Sequence, residues 1–498
     1  MPKLATPLFC ALLAALALAA SAGTATASPL KLDRSFGKAG LVQPDFGPAY
    51  LPISYDAVQA EPSGAVVVAR ALGGSGPVWR RYDATGVLDP SFDPNSGAYP
   101  PIEAVTAEGK TLRPDGGLIL RYNADGTWDK TFGVDPEPGH RPFSEAVPFL
   151  IRALVSLPSG KIAAAGWDIK HDRRRREIRQ ILVARFDSQG HLDPGFGGDG
   201  VVNLASDAGF AVKRLAGLAA HGDEGVVVAA DERLRRSYGI TNPFHGNSLV
   251  LALGADGRPD PAFGKEGAVR SRSSIEEFQV LPGGNLLVAG DRWGAELHVN
   301  SARLSDLYAM RLTPAGQPDP GFDGDGLAVA DFGGVDRFGS LQVEADGGLL
   351  LGGSSTGIGD RICVRFPGYC TETPVLARLL ADGTPDPGFG DGGRVRLKAL
   401  SEPFASLGAG GGVEALAPLP GGEVAAGGSS GAVAFLAKID RAGALVGGFG
   451  SGGVVTERDP HHNETTAHAV AVDARGRILV AGSTSAGTFY ASPENGVV

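Results

Sequence analysis

Cysteine, methionine and tryptophan are scarce in this chain: three, two and four residues among 498. The only methionines are Met1 and Met310, which excludes a Met-rich adaptable groove. No CxxC pair, HExxH stretch or Gly-rich phosphate loop occurs, so none of those routes to metal or nucleotide chemistry is marked. After the first 27 residues no segment is long and apolar enough to span a bilayer. A basic field is missing too, since 45 Lys and Arg face 55 Asp and Glu for a net charge of −10. That balance argues against a general nucleic-acid binder and favours solubility. No stretch after residue 27 carries a convincing helical period.

What is abundant is glycine, at 75 positions, roughly twice the usual ~7% share. Glycine and proline together still fall short of the ~25–30% that marks low-complexity disorder, and apolar content is ordinary at 43%. The combination predicts a turn-rich, all-β globular chain. Residues 1–27 read as a signal peptide: Lys3, the apolar "LFCALLAALALAA", and "ATA" at Ala25 to Ala27 as a cleavage signal before Ser28. The mature chain, 28–498, is therefore expected to be a single secreted, extracellular domain without a transmembrane segment. Cys10 leaves with the signal, so Cys363 and Cys370 are expected to form a disulfide. Closing so small a loop contributes roughly 2–3 kcal/mol in the loop-entropy model, less any strain.

One phrase recurs: "LDPSF" at Leu88, "LDPGFGGDGVV" at Leu192, "PDPGFDGDGLAV" at Pro318 and "PDPGFGDGGRV" at Pro385. Its phenylalanines are Phe36, Phe92, Phe132, Phe196, Phe263, Phe322, Phe389 and Phe449, spaced by 56, 40, 64, 67, 59, 67 and 60 residues. Between the phrases a second element repeats, as "SLPSGKIAAAG" from Ser156, "VLPGGNLLVAG" from Val280 and "VDARGRILVAG" from Val472. Two short apolar stretches around a Gly-bearing turn are a β-hairpin. A third strand precedes each phrase ("ILVARFDSQG" from Ile181) and a fourth follows its Phe-Gly corner ("GVVNL" at Gly200). Each unit thus holds four antiparallel strands, a to d, and radial repetition of such units is a β-propeller. The N-terminal "LDRSFGKAGLV" supplies a lone strand d and the C-terminus supplies a, b and c, so one blade is expected to close from both ends. Eight phrases imply eight blades, or seven if the short second unit is degenerate.

These residues resemble the delta-60 repeat family of exported bacterial propellers. The resemblance rests on the "LDPSFGxxG" phrase, the "LPDGKILVAG"-like hairpin and the "ARLNADG"-like strand, and it runs over residues 30 to 490. It implies a propeller fold and export, and no particular chemistry.

The recurrent aspartates (Asp33, Asp89, Asp129, Asp193, Asp260, Asp319, Asp386) invite a calcium reading, most of all at Asp323 and Asp325 in "FDGDG" or near Asp199. Calcium gathers six to eight oxygens, and most copies offer one or two carboxylates. The simpler expectation is an Asx-type turn, with Gly at positive φ and Phe as a plug between neighbouring units. "GGSSG" at Gly427 to Gly431 matches the nucleophile-elbow pattern around Ser429, but that motif needs a strand–turn–helix context, which a strand end does not provide. Arg173, Arg174, Arg175 and Arg176 form the strongest charge run, either a solvated loop tip or a dock for an anionic partner. His461, His462, His468 and Glu464 form a weak metal candidate, and Trp79, Trp128, Trp167 and Trp293 a weak sugar-binding one.

Strand parity sharpens the expectation. In an antiparallel unit the a–b and c–d connections share one end, and here they are the regular ones. The b–c and d–a connections share the other end and vary in length and chemistry; the Arg173–Arg176 run and the Cys363–Cys370 segment fall there. Variable loops on a regular scaffold are where binding usually resides. The sequence thus reads as a secreted, non-enzymatic and monomeric scaffold for a protein or glycan, with no cofactor, assigned metal or catalytic residue. The alternative is a propeller lyase or hydrolase working through loop residues at the central channel.

Overall fold

Most of the described hairpin turns are closed in the same way. The Leu157 N–H donates to the Lys161 carbonyl at 2.9 Å, the Gly160 N–H returns to the Leu157 carbonyl at 2.9 Å, and Gly160 sits at φ +82°. This is a type I turn continued by a left-handed glycine, the usual G1-bulge hairpin. It recurs at Leu281–Asn285 and Glu344–Gly348, and after strand c at Asp187–His191 and Asp440–Ala444. The sequence period is therefore a period of turn geometry.

The structure is a computed structural model and describes residues 55–60, 66–72, 75–83, 87, 89, 104–123, 127–133, 142–171, 177–207, 212–232, 247–293, 305–357, 372–400, 411–431, 433–457, 464–473, 476–485 and 495–497. Among them the chain is all-β. The helical turns are two 3-10 turns, Lys398–Leu400 and Pro420–Gly422. The described residues fall into two compact units, one within 95–288 and 310–319, the other within 20–94, 289–309 and 320–498.

In the first unit, strands Leu150–Ser156, Ile162–His171, Glu177–Phe186 and Val201–Asn203 form an antiparallel sheet in the order a-b-c-d. Val212–His221, Gly225–Glu232, Ser248–Leu253 and Ala268–Ser271 repeat it. Ahead of them, Ala104–Val105, Thr111–Asp115 and Leu118–Tyr122 form three shorter strands. This is the shortened second repeat, and its b–c connection is only Gly116 and Gly117. Strand b is buried on both faces: Ala163, Ala164 and Ala165 are all fully buried. Their alternate side chains join two different clusters, Ala164 with Leu112 and Phe132, Ala163 and Ala165 with Val226 and Leu251. Continuous apolar runs, rather than alternation, follow from that sandwiching.

In the second unit, Gly334–Val343, Leu349–Gly357, Glu372–Leu379 and Arg394–Arg396 make one four-stranded sheet, and Gly412–Pro418, Val424–Ser430, Val433–Ile439 and Val454–Glu457 another. Three-stranded sheets lie at Tyr55–Tyr82 and Glu464–Val497. Strands Leu286–Trp293 and Ser305–Leu312, in the sheet begun by Glu277–Val280, contribute residues to both units. At Ser305 and Val335 a single parallel bridge joins two successive four-stranded sheets, because only Asp331, Phe332 and Gly333 separate strand Leu327–Ala330 from strand Gly334–Val343.

Candidate functional site

The recurrent phrase turns out to be a closed electrostatic unit. Oδ1 of Asp129, Asp193, Asp260 and Asp386 accepts the backbone N–H two residues ahead, at 2.8–3.0 Å. Oδ2 faces an arginine on strand c: Arg81 with Asp89 at 2.6 Å, and Arg121 with Asp129, Arg185 with Asp193 and Arg311 with Asp319 at 2.7 Å. The same arginines cap the buried phrase phenylalanine, Arg121 over Phe132 at 4.4 Å and Arg185 over Phe196 at 4.9 Å. Phe132, Phe196, Phe263 and Phe389 are fully buried, a gain of roughly 2–3 kcal/mol apiece. The glycine after each Phe then donates to the next repeat: Gly197 to the Asp256 carbonyl, Gly264 to Ala315, Gly390 to Ala442.

Departures from the phrase are compensated. Strand c carries Ala252 where others carry Arg, and His221 Nε2 meets Asp260 instead at 2.8 Å. Where Val446 replaces Asp, Lys438 turns to Glu423 at 2.6 Å. Burial pushes the Asp129 carboxyl up, but Lys110, Thr131 and Arg121 outweigh it and hold the group well below the usual carboxylate range. Asp193 is likewise lowered, burial being overcome by Lys161, the Gly195 N–H and Arg185. These carboxylates are occupied by the scaffold, as the Asx-turn reading expected. Asp323 takes a left-handed conformation (φ 48°), and Asp325 caps the Leu327 N–H at 3.0 Å. Asp199 does the same for Val201.

Three aspartates behave differently. Asp306 begins strand Ser305–Leu312, Asp331 follows strand Leu327–Ala330, and Asp336 lies in strand Gly334–Val343. Among the described residues they are the group of acids that converges, with one carboxylate oxygen from each within 4.8 Å of the others. Asp336 is fully buried, Asp306 is half-buried and Asp331 exposed. Oδ2 of Asp336 accepts the Phe332 N–H at 2.7 Å, while Oδ1 has no hydrogen-bond partner. Ser355, its cross-strand partner, is buried with its hydroxyl also unpartnered. Burial, with Asp331 and Asp336 alongside, pushes Asp306 up to about 6. Burial and the Asp331 charge push Asp336 up to about 6 as well, against the nearby Ser355 hydroxyl, the Phe332 N–H and Arg396. Arg394 and Arg396 point their guanidinium groups at the backbone carbonyls of Asp331 and Phe332 instead of at the carboxylates. Gly334 lets the chain pass: a Cβ there would meet the Thr356 carbonyl oxygen at 2.2 Å and Ser355 Oγ at 3.3 Å.

Sequence reasoning did not find this cluster, because its members come from two strands and the short connection leading into one of them, and match no local motif. A signal was present in the repeat register. The position of Asp306, counted from the strand-c arginine, is held elsewhere by Gln180, Asn247 and Thr373, and that of Asp331, counted from the phrase Phe, by Ala205, Arg272 and Lys398.

Arg173, Arg174, Arg175, Arg176, Cys363, Cys370, His461 and His462 lie outside the described residues, as does the segment 1–27. Ser429 is buried in strand Val424–Ser430 with no helix after it. Its hydroxyl donates to Glu414 Oε1 at 3.3 Å, and His468 Nδ1 meets Glu414 Oε2 at 2.9 Å. The carboxylate stands between serine and imidazole, the wrong order for activating a serine nucleophile. Trp167 packs below Arg152 at 4.8 Å, and Trp128 is partly exposed.

Residues 371–389, strand c and its corner phrase, match a family described as a domain of unknown function (DUF5122) beta-propeller. No curated protein matches the chain. Among solved structures, prolyl oligopeptidase B from Galerina marginata is similar over 87% of this chain and 55% of its own, at 10% identity and TM-score 0.37. The chain thus spans about half the length of that protein. Penicillium chrysogenum alpha-L-arabinanase aligns with 69% of this chain and 91% of its own, at 12% identity and TM-score 0.29. A glucose dehydrogenase aligns over 66% and 91%, at 13% identity and TM-score 0.27. Among the described residues no helix is long and apolar enough to cross a membrane.

Proposed function

We propose that the mature chain is an exported, closed β-propeller of the delta-60 type, with eight blades or seven, that binds a protein or glycan outside the cell through the b–c and d–a ends of its strands. The observation that carries this reading is the division of labour between strand ends. At the a–b and c–d end, the recurrent Asp, Arg, Phe and Gly residues are engaged in the repeat's own turns and contacts. The sequence variety is left to the opposite end, where the Arg173–Arg176 run and the Cys363–Cys370 segment belong. Closure is favoured by strand Tyr55–Ala60, which lies against strands Glu464–Val472 and Ile478–Ser485, the first described sheet beside the last.

A propeller enzyme is the second reading, favoured by the converging carboxylates Asp306, Asp331 and Asp336. Burial of Asp336 counts against it, since a general acid or base must reach the proton it transfers. The test is binding of the exported protein to arrays of envelope polysaccharides and surface proteins, with Arg173–Arg176 replaced by serine as the comparison. Saturable binding that the serine variant loses, with thermal stability unchanged, supports the scaffold. Turnover of an arrayed polysaccharide that Asp331→Asn abolishes would hand the function to the enzyme reading.

A further inference from the structure

We propose that Asp306, Asp331 and Asp336, with the Ser355 hydroxyl, bind a hard divalent cation of the calcium or magnesium class that clips two successive sheets together. The donors are all oxygens, which selects calcium, magnesium or manganese over zinc or copper. Their spacing fits an ion. Oxygens around a calcium ion at 2.3–2.6 Å lie at most about 4.6–5.2 Å apart, and the three carboxylate oxygens lie within 4.8 Å of one another.

Two further atoms point to a ligand. Asp336 Oδ1 and Ser355 Oγ belong to buried residues on paired strands and have no hydrogen-bond partner. Buried polar groups left in this way destabilise the fold unless something satisfies them. A proton shared between Asp306 and Asp331 relieves one repulsion and still leaves Asp336 Oδ1 and Ser355 Oγ unsatisfied. The basic neighbours do not fill the gap either. Arg394 and Arg396 hold backbone carbonyls, and Arg292, although it attracts Asp306, forms no ion pair with it. In other repeats, strands c and d are tied near this place by neutral pairs, Gln180 with Asn203 at 3.2 Å and Ser248 with Ser273 at 2.7 Å. Here the neutral pair is replaced by three acids, beside the parallel Ser305–Val335 bridge and the Ser305 Oγ bond to the Asp336 carbonyl at 2.6 Å. A cation turns that repulsion into a cross-link.

The inference does not depend on what the protein recognises. It is tested on the full mature protein after chelation, by calorimetric titration with calcium, magnesium and manganese chlorides and by sensitised terbium luminescence. The expected result is one stoichiometric site and a rise in Tm on loading. Asp331→Asn, an exposed position that leaves the core intact, should weaken that affinity by about tenfold or more and abolish the Tm rise; Ser355→Ala should weaken it less. Absence of saturable binding by all three cations, or a site unchanged by both Asp331→Asn and Asp306→Asn, overturns the proposal.

Discussion

Asp129, in a corner phrase, and Asp336, in strand Gly334–Val343, are both buried aspartates, and they have opposite surroundings. Asp129 meets Lys110 and Arg121 at 2.7 Å, the Thr131 hydroxyl at 2.6 Å and the Thr131 N–H at 3.0 Å. Asp336 meets one backbone N–H and two other acids. Burial raises both carboxyls; only at Asp129 do partners reverse it. The lesson concerns where a repeat uses its charge. A carboxylate that recurs with its cation is part of the scaffold. One that appears in a single copy and lacks a cation has been placed there for something else.

The same substitution should therefore have opposite signs at the two sites, and this is the largest effect expected. Asp129→Asn leaves Arg121 buried without its counter-charge, and breaking such a pair costs about 3 to 5 kcal/mol. Asp336→Asn, measured in chelator, removes an uncompensated buried charge. It should be neutral within about 1 kcal/mol or stabilising. Urea unfolding of both variants beside the parent decides the matter. Equal losses at the two positions would erase the distinction between them.

Acid should erode the first site in a defined window. Asp129, Asp193 and Asp260 all have lowered carboxyls, so the folded state binds fewer protons than the unfolded one in acid. Their contribution is complete above the ordinary Asp value of about 3.9 and is lost as pH falls through the lower folded values. The stability gap between the parent and Asp129→Asn should accordingly be wide at pH 7 and narrow toward pH 3. A gap that stays constant over that range would mean that the Asn variant acts through packing, not charge.

The scaffold half of this comparison was legible in the sequence because it is written many times. The Phe spacing gave the period, the Gly-bearing hairpins gave strands a and b, and the one or two carboxylates offered by most copies of the phrase favoured a turn over an ion site. The arginine partner was also on the page, in "LRYN", "ARFD" and "MRLT". It was passed over because a cation in a strand reads as an exposed residue until its partner eight positions later is seen to face it. The acidic cluster was not legible by motif. It depends on a three-residue d–a connection that brings the start of one sheet against strand c of the preceding one, a register that no local window contains.

The smallest effect comes from the copy in which the phrase lost its acid. Val446 stands in the Asp position, and Lys438 pairs instead with Glu423, the two side chains 22% and 30% exposed. Partly solvated pairs of this kind contribute about 0.2–1 kcal/mol, far below the buried Arg121–Asp129 pair. A double-mutant cycle with Lys438→Met and Glu423→Gln should return a coupling in that low range. Val446→Asp should then draw Lys438 back to the corner, so that Glu423→Gln costs less in the Val446→Asp background than in the parent. If Glu423→Gln costs the same in both, Lys438 does not respond to the restored acid, and the corner pair depends on arginine's stacking over the phenylalanine as much as on its charge.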